Sequence, residues 1–147
     1  MREAIRQCDE RLHSQVPPSV TQSWLLWKAD ILAVAGLRAE AVETALEAVR
    51  GYQLRLECSA LAGVFARWAA VTCLGTPDEA QVRVLLGRLD ERINDYDALD
   101  QVDILCAILY CGWTRSSDYP EQIALRARLL PGPALAPVRA MGLAVAG

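Results

Sequence analysis

Gly36-Leu37-Arg38-Ala39-Glu40-Ala41 and Gly75-Thr76-Pro77-Asp78-Glu79-Ala80 are the two stretches that decide the fold. In each, a glycine closes one helix-periodic apolar segment, and an alanine five residues on opens the inner face of the next. The offset is 39 residues at both positions, from 36 to 75 and from 41 to 80, so one helical hairpin is repeated. A third turn, Ser117-Asp118-Tyr119-Pro120-Glu121, is looser; its loop is longer and the period drifts.

Outward from these turns, apolar residues recur at spacings of three and four, and no alternating strand pattern with hairpin turns is present. The chain therefore reads as all-α. Val16-Pro17-Pro18-Ser19 ends a first helix, and Ser19 with Gln22 makes a capping-box start for a second, to about Ala35. A third spans 39–50, with Ala41, Ala45, Ala48 and Val49 inward, and a fourth spans 56–74. Thr76 and Glu79 form a second capping box, with Pro77 at the first helical position of a fifth helix to Ile93. Asp97 caps a sixth over 98–113, Asp118 with Pro120 and Glu121 starts a seventh to Leu130, and 137–146 suits a short eighth.

Composition excludes several function classes. The 147 residues suit one domain of roughly 100–200. With 53% apolar and 22% charged residues the chain is globular, and no apolar run approaches the ~18 residues of a membrane span. Fifteen basic against 18 acidic residues, with no basic cluster, argue against direct nucleic-acid binding. Cys8, Cys58, Cys73, Cys106 and Cys111 have no CxxC spacing and sit in apolar contexts, which fits buried, reduced thiols in the cytoplasm. Charge in Met1-Arg2-Glu3-Ala4-Ile5-Arg6 leaves no apolar core for an export signal. His13 is the only histidine, so no zinc site is expected. Asp95, Asp97, Asp100 and Asp103 form an acidic cluster without the spacing of a calcium loop, and helix capping accounts for Asp97 and Asp100. No nucleophile with a base and no phosphate loop is visible, so neither catalysis nor a cofactor is expected.

These hairpins resemble the tetratricopeptide (TPR)-like family of helical repeats. Ala29 resembles the family's small first-helix residue, Leu32 the large residue three positions on, Gly36 the turn, and Ala41 and Ala48 the small second-helix contacts. The chain departs from the pattern at Leu25, Lys28 and Ala45, where the family often has Trp, Leu and an aromatic. The likeness covers 22–96, and 97–130 more loosely. It implies antiparallel hairpins stacked as a right-handed α-solenoid of about seven or eight helices. The units would be a half hairpin 1–16, hairpins 19–53, 56–94 and 97–130, and a half hairpin 134–147, in one domain. The 39-residue spacing is also similar to the long hairpins in the sensor regions of large ATP-dependent LuxR-type bacterial transcription regulators. Glu3-Ala4-Ile5-Arg6-Gln7-Cys8 resembles a second helix without its first, and Met141-Gly142-Leu143-Ala144-Val145-Ala146 is a poor polar cap. A portion of a longer array, or self-association through apolar ends, is expected from this.

In such arrays the concave groove is lined by first helices. The resemblance points to Ser23, Leu26, Asp30 and Ala33, with Ala62, Phe65, Ala69 and Thr72 one period later, and with Arg67 or Arg115 at the margin. Ordinary helix packing is the competing reading for Leu26 and Phe65. Trp24, Trp27 and Ile31 form a stripe whose expected partners are Ile5, Cys8 and Leu12, a core stripe rather than an aromatic ligand cage. A mixed, mainly apolar groove suits an apolar helix or peptide of a protein partner. The expected role is a non-catalytic, cytoplasmic protein-interaction scaffold; the alternative is an effector-sensing segment of a bacterial transcription regulator or signalling protein.

Overall fold

Left-handed glycines end three of the helices. Gly36, Gly75 and Gly112 have φ of 80°, 76° and 72°, a conformation in which a Cβ is strained. Around Gly36 the Leu37 N–H donates to the Leu32 carbonyl at 3.0 Å and the Gly36 N–H to that of Ala33 at 3.0 Å. Around Gly112 the Trp113 N–H reaches the Ile108 carbonyl at 3.1 Å and the Gly112 N–H that of Leu109 at 3.1 Å. Both are the paired closing bonds that satisfy the last carbonyls of a helix.

A computed structural model describes residues 1–14, 18–51 and 61–130. The described residues form seven α-helices and no strand. The chain divides into two compact units, Met1–Cys58 and Ser59–Gly147.

The first unit holds α1 (Arg2–His13), α2 (Pro18–Val34) and α3 (Arg38–Gly51). Pro18 suits the opening turn of α2, where no N–H is required. Its buried face is Leu25, Leu26, Ala29 and Leu32, and the inner face of α3 is Ala41, Ala45, Ala48 and Val49, as the periodicity predicts. Helix α2 packs on both α1 and α3. The chain's one lysine, Lys28, donates to Asp9 at 2.6 Å and ties α2 to α1.

The second unit holds α4 (Ala62–Cys73), α5 (Glu79–Glu91), a short 3-10 turn (Ile93–Asp95), α6 (Ala98–Cys111) and α7 (Tyr119–Ala127). Every residue of α6 from Val102 to Ile108 is buried, because α4, α5 and α7 all pack on it. Helix α4 meets it with small residues: Ala62, Gly63, Ala66, Ala69 and Ala70 are all buried.

Several boundaries differ from the sequence reading. The Thr76 hydroxyl donates back to the Cys73 carbonyl at 2.6 Å and accepts the Asp78 N–H at 3.3 Å, a cap just ahead of α5, and Glu79 accepts from the Gly75 N–H at 2.9 Å. Both side chains thus stabilise the glycine turn, and Pro77 lies within the turn before α5 instead of at its first position. The 3-10 turn ends the fifth helix two residues before Ile93, and α7 ends at Ala127 instead of Leu130. Asp97 caps α6 as expected, accepting from the Asp100 N–H at 2.9 Å. The Ser19 side chain, the helix start near Leu56, Cys58 and the segment 134–147 lie outside the described residues.

Two glycine substitutions separate backbone conformation from packing, since a Cβ at Gly36 or at Gly87 within α5 would meet nothing within 4 Å. Gly36→Ala is expected to lower stability by about 1–2 kcal/mol through its positive φ. Gly87→Ala is expected to raise it by about 0.5–1 kcal/mol through helix propensity. Denaturant unfolding of the two variants checks the opposite signs.

Candidate functional site

Two acidic side chains on α6 reach across to α4. Asp100 is buried, and its Oδ1 accepts the Gly63 N–H at 3.1 Å. Gly63 lies in the first turn of α4, where N–H groups lack partners within the helix, so a carboxylate from α6 satisfies one of them. Asp100 stands in the first turn of α6, where the sequence reading placed it, and its side chain in addition serves the start of α4. One turn on, Asp103 pairs with Arg67 of α4 at 3.3 Å. A Cβ on Gly63 would stand 2.7 Å from Asp100 Oδ1, 2.9 Å from Asp103 Cβ and 3.0 Å from the Asp100 Cα, so the two helices touch where glycine alone fits. Burial, and next the neighbouring Asp97, push the Asp100 carboxyl from its ordinary 3.8 up to about 6.

A second polar cluster joins α5 to α7. The buried Asp90 accepts from the Tyr119 hydroxyl and pairs with Arg115 at 2.8 Å. Arg83 lies over the Trp113 ring at 5.9 Å, beside a cleft of about 190 Å³. Arg115 and Arg67 are thus engaged by carboxylates of their own unit. Arg126 donates to Gln101 at 2.9 Å and links α7 to α6.

The predicted groove residues separate into two groups. Leu26, Ala62, Phe65 and Ala69 are fully buried and offer no side chain to a partner; for these four the packing reading of the pattern is the correct one. Ser23, Asp30 and Thr72 are half-buried and Ala33 is exposed. Thr72 donates to the Trp68 carbonyl at 2.7 Å within α4. Helical period alone assigns all eight to one face of a first helix, but a helix packed on two sides buries part of that face.

An opening remains in the first unit. Ala4, Gln7 and Cys8 of α1, with Trp24, Trp27, Asp30 and Ile31 of α2, line a cleft of about 260 Å³ that opens to solvent. Trp24 and Trp27 stand edge to face, centroids 5.1 Å apart and planes at 90°, and Trp27 is 45% exposed. Of the partners expected for the tryptophan stripe, Ile5, Cys8 and Leu12, Cys8 lines this recess with it, and the recess is open to solvent. Asp30 joins this cleft; Ala4 and Gln7 were outside the sequence reading, because which residues α1 turns toward α2 depends on how the two helices meet. Burial raises the Cys8 thiol, which stays protonated and forms a neutral wall.

His13 Nδ1 bonds the Asp9 carbonyl at 2.6 Å near the end of α1. Burial pushes Cys106 up to about 12 and Cys111 up to about 11, far from a reactive thiolate. Compared with models of protein families, with curated proteins and with solved structures, the chain matches none.

The raised Asp100 carboxyl has a signed consequence. The folded state binds its proton more tightly than the unfolded chain does, so the stability due to Asp100 is complete below pH 4 and is lost as pH rises through about 6. The charged groups around it are Asp97, Asp103 and Arg67. In Asp100→Asn the amide oxygen still accepts the Gly63 N–H and no longer titrates. The variant is expected to gain on the parent chain between pH 4 and 7 and to run parallel above; unfolding free energies across that range check it.

Proposed function

We propose that the chain is a non-catalytic protein-interaction module of tetratricopeptide-like helical hairpins, taking an apolar helix or peptide of a partner on the α1–α2 face. The observation that carries this reading is the Trp24–Trp27 cleft. A large aromatic side chain that is 45% exposed at the edge of a mainly apolar recess is the kind of surface on which interface energy concentrates. Hairpins closed by left-handed glycines, with small residues between the packed helices, support the tetratricopeptide-like part of the proposal. The exposed Ala33 and Val34 at the end of α2 extend the apolar character of that helix beyond the cleft.

An effector-sensing segment would call for an enclosed pocket, and small-molecule sites usually hold roughly 300–1,000 Å³. The cleft, at about 260 Å³ and open to solvent, favours a partner side chain over an enclosed effector.

Selection of peptides from a displayed library tests the proposal. Enrichment of sequences with apolar anchors at helical spacing is expected, and Trp27→Ala should weaken them at least about tenfold, the loss of about 1.4 kcal/mol, with unfolding unchanged. Failure to enrich any helical binder, or equal binding by the Trp27→Ala variant, overturns it.

A further inference from the structure

We infer that the cleft between α5 and the turn at Trp113 binds a small free monocarboxylate with a short apolar body. The site belongs wholly to the second unit and does not depend on the partner surface proposed for the first.

Bonds within the chain hold the cleft in shape. Gly112 turns left-handed at the end of α6, and the Trp113 N–H closes that turn on the Ile108 carbonyl at 3.1 Å. Further along, Arg115 donates to Asp90 of α5 through Nε at 3.0 Å, and the Tyr119 hydroxyl donates to the same carboxylate oxygen. The segment after α6 is thereby fastened to α5, and a space of about 190 Å³ stays open beside it.

Charge selects an anion. Of the charged residues that line the cleft, Asp90 and Arg115 form an ion pair at 2.8 Å and cancel. Arg83 carries the remaining charge. It is exposed, and among the described residues it meets the Trp113 ring, 5.9 Å from the centroid, and no carboxylate. Glu79, one turn before it on α5, accepts the Gly75 N–H. A cation over a ring spends its charge on the π electrons and none of its N–H donors. The ring thus props the Arg83 guanidinium at the cleft, where its planar fork matches a carboxylate in bidentate fashion. One net positive charge is balanced by a monoanion; a dianion leaves a charge unmatched.

Gly87 supplies the room. Positions 83, 86, 87 and 90 share one face of α5, and a Cβ on Gly87 would meet nothing within 4 Å. Glycine inside a helix is less stable than alanine, and no packing contact of the chain requires it here. Its missing methyl leaves free volume on the cleft floor, where an apolar body lies against the helix backbone, and Leu86 and Ile108 add apolar walls. A cavity of about 150 Å³ takes up benzene, so the space suits a body of about one six-membered ring.

Titration of the full chain with benzoate, its neutral isostere benzamide and the dianion phthalate, followed by the indole N–H resonance of Trp113, tests the inference. Benzoate is expected to shift the resonance saturably and to bind at least about tenfold more tightly than benzamide, the size of a charge-assisted hydrogen bond. Phthalate is expected to bind less tightly than benzoate. Arg83→Gln should bring benzoate down to the benzamide level with thermal unfolding unchanged, because the side chain is exposed. Gly87→Ala should weaken benzoate and benzamide alike while raising the unfolding temperature, a pairing of signs that loss of structure does not produce. Equal binding of benzoate and benzamide, or equal benzoate binding by Arg83→Gln and the parent chain, would overturn the anion site. Tighter binding of phthalate would overturn the choice of a monoanion, and full binding by Gly87→Ala the placing of the apolar body on α5. A peptide with one glutamate between alanines and leucines that shifts Trp113 at lower concentration than benzoate would overturn the free ligand in favour of an acidic side chain. No saturable shift with benzoate would overturn the whole inference and leave the α1–α2 face untouched.

Discussion

The contact between α4 and α6 at Gly63 governs the second unit. One glycine allows the α4 backbone to reach the Asp100 Cα, and the closeness places the Gly63 N–H on the Asp100 carboxylate. The first turn of α4 is then capped from another helix, and Arg67 and Asp103 pair one turn further along. With α4 seated there, α6 is enclosed by α4, α5 and α7, and a run of seven consecutive residues, Val102 to Ile108, loses its contact with water. Burying Asp100 in that position raises its carboxyl to about 6, so the contact that organises the unit also carries an electrostatic cost at neutral pH.

Residue size has the opposite consequence in the first unit. Helices α2 and α3 pack on one another and carry small buried residues, Ala29 on α2 and Ala41, Ala45 and Ala48 on α3. Between α1 and α2 the chain places two tryptophans instead, set at right angles, and a recess of about 260 Å³ stays open beside them. Small side chains close an interface between helices, while two large rigid rings against Ala4 and Cys8 leave space that no other described side chain fills. The proposed binding surface is a by-product of the same packing rule that builds the core.

Much of this was legible in the sequence where a local cause decides. Gly36 and Gly75 could be read because a left-handed turn calls for glycine, and Asp97 because a cap lies next to the helix it serves. Gly112 makes the same turn but escaped notice, since Trp113 to Asp118 separate it from the next helix and blur the period. The role of Asp100 was out of reach, because its partner is 37 residues away and its neighbours in sequence suggest only capping. Of the groove, periodicity found the face but not the depth. Leu26 and Phe65 share that face with Asp30 and Thr72, and only the arrangement of packed helices sorts buried from accessible.

The claim that a glycine contact organises the second unit is tested most directly by the unfolding free energy of Gly63→Ala. Overpacking against Asp100 and Asp103 predicts a loss of about 1–3 kcal/mol, despite the better helix propensity of alanine. A variant as stable as the parent chain, or more stable by the ~1 kcal/mol that propensity alone would supply, would contradict the account.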